Sequence, residues 1–68
     1  MTVDIDGIKL DISKFSKKII FEHKNGKILV TYSLDFPPFT DNREFETELE
    51  AKEFINEIKK EGDKVKYK

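Results

Sequence analysis

Sixty-eight residues with no cysteine and a single histidine point to one domain (1–68) and exclude disulfides, a thiolate zinc site and a His-rich metal site. A charged content of 40% and a mean hydropathy of -0.62 are high for a globular chain, but the apolar residues are patterned, which argues against disorder. No apolar run approaches the roughly 18 residues that span a bilayer, and the N-terminus lacks the layout of a signal peptide, so the cytoplasm is the default compartment.

The net charge of -1 conceals segregation. Residues 1–34 carry six Lys against three Asp and one Glu, whereas residues 35–61 carry one Arg and three Lys against two Asp and seven Glu. Residues 62–68 return three Lys against one Asp. Charge separated in this way creates a local field that the total hides.

In chain order, Val3-Asp4-Ile5 and Ile8-Lys9-Leu10 flank Asp6-Gly7, a tight-turn dipeptide, and predict a first hairpin over 2–12. Val3, Ile5, Ile8, Leu10 and Ile12 would share one face. Asp4 and Asp6 suggest a calcium loop, but Lys9 and Phe15 stand where an EF-hand needs Gly and Glu, so no metal site is expected. Ser13 to Ser16 is a connector, with Phe15 tucked under the sheet.

The clearest element is Lys17 to Leu34, where two strand-like runs flank Asn25-Gly26, the dipeptide suited to a type I′ turn. Centring the turn there pairs Lys24 with Lys27, Glu22 with Leu29 and Ile19 with Tyr32. Ile19, Phe21, His23, Ile28, Val30, Tyr32 and Leu34 then line a core face. Lys18, Ile20, Glu22, Lys24, Lys27, Leu29, Thr31 and Ser33 take the wet face. A one-residue slip would exchange the two, so turn and pattern support each other. His23 sits near the tip with no Ser, Asp or Glu placed beside it by spacing. Without a partner and a pocket it reads as structural.

Asp35 to Asn42 holds two prolines flanked by Phe36 and Phe39, a stiff loop whose rings either cap the core or present an aromatic contact. Arg43 to Glu46 reads as a short strand (43–46) with Phe45 inward. Thr47-Glu48-Leu49-Glu50 has capping-box spacing and opens a helix expected over 48–61, stopped by Gly62. Ala51, Phe54, Ile55 and Ile58 form its apolar stripe, and Leu49 falls off that stripe. Lys64 to Lys68 alternates strictly and predicts a last strand (64–67) with Val65 and Tyr67 inward.

These elements specify an α+β fold: two layers, a curved and mostly antiparallel sheet covered by one helix. The short strand and the last strand, if neighbours, would need a right-handed crossover.

For function, catalysis is the weakest class. The chain shows no partnered His, no Gly-rich phosphate loop and no distinctive carboxylate pair, so no enzyme, cofactor or small-molecule substrate is indicated. So short a chain also has little room for a pocket of about 300 Å³ beside its core. The leading expectation is a protein-interaction module (adaptor, inhibitor or subunit) that binds a protein partner or a second copy of itself. Its contact residues would be the apolar side chains the core does not need: Ile20, Leu29, Phe36, Phe39 and Leu49. Glu46, Glu50, Glu53, Glu57 and Glu61 would be open to a basic partner. The alternative is nucleic-acid binding through Lys18, Lys24, Lys27, Lys64, Lys66 and Lys68, provided the last strand joins the sheet. Against it stand a pI near 5.8 and a wet face without stacking aromatics.

Overall fold

Two turns of the same kind set the chain's course. Asp6 and Gly7 have φ of 53° and 80°, and Asn25 and Gly26 have φ of 51° and 77°. That is positive φ at both central positions, as a type I′ turn requires. The computed structural model describes residues 1–36, 38–59 and 63–67. Around the first turn β1 (Thr2–Ile5) pairs with β2 (Ile8–Asp11), Val3 opposite Leu10 and Ile5 opposite Ile8. Around the second, β3 (Lys17–Lys24) pairs with β4 (Lys27–Leu34) in the expected register, Ile19 opposite Tyr32 and Glu22 opposite Leu29.

After these come β5 (Phe39–Phe45), α1 (Glu48–Ile58) and β6 (Lys64–Tyr67). The four longer-range strands form an open sheet in the order β5-β4-β3-β6, with β6 parallel to β3 and the other pairs antiparallel. The strands before and after the helix are therefore not neighbours but the two edges, and α1 crosses the sheet between them. The first hairpin does not extend this sheet. It forms a two-stranded sheet of its own.

The core lies between one face of the four-stranded sheet and the helix. Ile19, Phe21, Ile28, Val30, Tyr32 and Leu34 meet Ala51, Phe54, Ile55 and Ile58, with Ile12 from a 3₁₀ turn over Ile12–Lys14. Met1, Val3, Ile5, Phe15, Phe39, Phe45 and Val65 pack against this cluster. Thr47 caps the helix, its hydroxyl accepting from the Glu50 N–H at 3.3 Å. At the other end of the first hairpin, the Asp11 carboxylate accepts from the Ser13 hydroxyl (2.6 Å) and the Met1 ammonium (3.1 Å). The hydroxyl first, and then the ammonium, hold the Asp11 carboxyl down at about 2.

Three expectations need correction. The strand placed at 43–46 runs instead from Phe39 to Phe45. Its inward positions are Phe39, Asp41, Arg43 and Phe45, so two charges interrupt the alternation that marks a half-buried strand. Both charges are accommodated: Asp41 accepts from the Tyr32 hydroxyl at 2.9 Å, and the Arg43 guanidinium lies 5.2 Å from the Phe54 ring centre. The helix expected to reach residue 61 ends at Ile58, the last residue of its apolar stripe, and Lys59 is already extended. Gly62, expected to cap it, lies outside the described residues. Ile8, expected on the apolar face of the first hairpin, is 61% exposed, because β1 alone carries that hairpin's side chains onto the core.

Candidate functional site

Strand register decides which side chains share the second face of the sheet, the one away from the helix. Cross-strand rows place Lys64 beside Lys18, Ser33 and Thr40, then Lys66 beside Ile20, Thr31 and Asn42. The next row holds Glu22, Leu29 and Glu44, and Lys24 meets Lys27 at the hairpin end. Ile20 and Leu29 are therefore diagonal neighbours at the centre of this face, close enough for side-chain contact. Both stay partly exposed, and neither joins the core cluster or packs on it. Leu29 borders an open depression of about 250 Å³ with Lys24, Asn25, Lys27 and Glu44. Among the described residues the face carries five lysines against two glutamates, a net positive surface around an apolar centre.

The other contact residues expected from the sequence are dispersed. Phe39 belongs to the inner face, its ring 6.3 Å from that of Tyr32. Phe36 is 86% exposed on the turn between β4 and β5, beyond the end of the sheet. Leu49 is 67% exposed on the first turn of α1, directly opposite the buried stripe. It thus belongs to the helix, and to the far side of the molecule from Ile20 and Leu29. Of the lysines, register brings Lys18, Lys64 and Lys66 together, while Lys24 and Lys27 stand about 13–20 Å away along the strands. Lys68 lies outside the described residues.

Three polar arrangements were not evident from the sequence. The Lys17 ammonium meets the Asp63 carboxylate at 2.6 Å with both side chains out of solvent, and Asp63 also accepts from the Lys17 N–H at 3.3 Å. Lys17 holds an inward position opposite Leu34, so extending the β3 alternation by one step would have placed a lysine in the core. The pair ties the start of β6 to the start of β3. At the opposite end, His23 Nε2 lies 3.3 Å from Glu48 Oε1, both side chains more than half exposed. A glutamate does stand beside the histidine, delivered by the helix rather than by local spacing. Third, burial and then the Asp41 carboxylate push the Tyr32 hydroxyl up to about 12, so it acts as a neutral donor inside the core.

Beside the buried ion pair lies an open cleft of about 520 Å³ bordered by Lys17, Lys18, Asp35, Asp63, Lys64 and Lys66. Apart from Ser16, the residues that line it are charged, and it is open to solvent, unlike the apolar enclosure typical of small-molecule sites. No family model matches this chain, and neither a curated protein nor a solved structure is similar to it.

Proposed function

We propose that this chain is a non-enzymatic protein-interaction module whose docking surface is the outer face of its four-stranded sheet. One observation carries the reading: among the described residues, the other layers pack on the opposite side. The helix stripe, Ile12 of the 3₁₀ turn and Met1, Val3 and Ile5 of the N-terminal segment pack in or against the inner-face cluster, while Ile20 and Leu29 stand together on the outer face. Fully burying an exposed side chain of this size is worth roughly 1.5–3 kcal/mol, and the part of Ile20 and Leu29 that stays exposed carries a fraction of that cost, which an interface would offset. The sheet presents them on rigid, paired strands, so docking orders little backbone.

Nucleic-acid binding is the second reading, favoured by the contiguity of Lys18, Lys64 and Lys66. Five lysines on one face would neutralise phosphates, and Glu22 and Glu44 on the same face oppose it. Parallel capture from native lysate tests the two readings, with immobilised wild-type protein and the variant Ile20→Ser/Leu29→Ser, each with and without nuclease. Protein docking expects bound material that resists nuclease and is lost in the variant. Capture that nuclease abolishes, or that the variant retains, would overturn it.

A further inference from the structure

Two surfaces of this molecule match each other and cannot meet within one chain. The outer sheet face has an apolar centre, Ile20 and Leu29, within a net positive fringe. The outward side of α1 has the opposite character. Ala51, Phe54, Ile55 and Ile58 face the core, which leaves Leu49, Lys52, Glu53, Asn56 and Glu57 pointing away from it. Leu49 and Glu53 are one turn apart, and Glu57 follows one turn later. An exposed leucine thus heads an acidic stripe, on the side of the molecule directly behind the lysine-fringed face.

Resting on the reading that the outer face docks a protein, we propose that its occupant is the outward side of α1 from a second copy of this chain. Leu49 of one copy sits over Ile20 and Leu29 of the next, and Glu53 and Glu57 lie against Lys18 and Lys66. A helix laid on the open face repeats the layering already present on the inner face. Charge sets the arrangement. Joining two outer faces symmetrically would oppose one net positive surface to another, whereas the helix-to-sheet contact pairs opposite signs. The contact is heterologous: each copy offers a different surface to each neighbour, so assembly does not close at a dimer unless the rotation closes a ring. Three apolar side chains and a charged rim make it weak and sensitive to salt.

Sedimentation across concentration tests this with two variants whose folding is verified by circular dichroism. Leu49→Ser/Glu53→Gln removes the helix surface, and Leu29→Ser/Lys66→Gln removes the sheet surface. Wild type is expected to grow beyond a dimer as concentration rises, less so in high salt. Each variant alone should associate at least about tenfold more weakly. Mixed together, they should form a one-to-one dimer that grows no further, because the mixture restores one intact contact. A wild-type chain that stays monomeric to about 1 mM would overturn the inference. So would a mixture that fails to pair. A helix variant that associates like wild type, beside a sheet variant that does not, would also overturn it and leave the outer face as a docking surface of another geometry. Association unchanged in both variants would remove the helix contact and the outer-face reading together. A monomer that binds single-stranded oligonucleotide, with affinity falling steeply in salt and lost in Lys66→Gln, would replace both with phosphate recognition.

Discussion

The two faces of the four-stranded sheet come from the same strands, yet they differ in what covers them. Ile19 and Ile20 are adjacent in sequence, and alternation sends one into a closed core at 0% exposure and the other, partly exposed, to a face that no other element among the described residues covers. The inner face tolerates polar groups only when they are satisfied: Lys17 by Asp63, and Tyr32 by Asp41. The outer face holds its polar groups in water and its apolar pair at the centre. Composition alone would not separate them, since both contain isoleucine, leucine and lysine. What separates them is the layer above, which converts one face into stability and leaves the other available for contact.

The largest expected effect breaks the inner face at the buried Lys17–Asp63 pair. Lys17→Met should cost about 3–5 kcal/mol, because it removes one partner of an ion pair held out of solvent. Urea unfolding measures it, and Lys17→Met/Asp63→Leu should recover part of the loss, because it removes both charges of the pair together.

Next, the faces can be compared at neighbouring residues. Ile19→Ala should cost about 2–5 kcal/mol, as expected for truncation in a closed core. Ile20→Ala should stay within about 0.5 kcal/mol of wild type, as surface changes do. Equal losses at both positions would mean that the outer face is covered within the chain.

Smaller effects probe the devices that set the register. Gly26→Val should cost at least about 1 kcal/mol, wholly through backbone strain, because φ is +77° and an added Cβ meets nothing within 4 Å. Unchanged stability there would question the assignment of faces itself. Thr47→Ala should cost about 1 kcal/mol through loss of the helix cap.

Alkaline titration adds a test of the inner face. The unfolded chain releases a tyrosine proton near the ordinary value of 10.0, while folded Tyr32 holds its proton to about 12. The folded state therefore binds the extra proton, and its stability should be intact below pH 10 and fall as pH rises through 12. Tyr32→Phe should remove that part of the pH dependence.

Local chemistry was legible in the sequence where it acts over a few residues. Asn25-Gly26 fixed turn, register and faces together, and Thr47 with Ala51, Phe54, Ile55 and Ile58 marked the helix start and its buried side. Contacts that span the chain left little local trace. Lys17 and Asp63 are 46 residues apart, and neither has a neighbour that announces the pairing. The strand from Phe39 was obscured because Asp41 and Arg43 break the alternation at inner-face positions, where they stay exposed and reach Tyr32 and Phe54. Ile20 and Leu29 were readable as a pair on one face. That this face lies opposite the helix and the first hairpin is a property of topology, and periodicity does not carry it.

The claim that the outer face is a contact surface, and not part of the fold, is tested most directly by Ile20→Lys/Leu29→Lys, with melting temperature and sedimentation measured on the same sample. A contact surface expects a melting temperature close to wild type, because the core is untouched, with association abolished by added positive charge facing a desolvated apolar partner. An unfolded variant would show that the two side chains are buried within the chain, and a folded variant that associates as before would make them incidental.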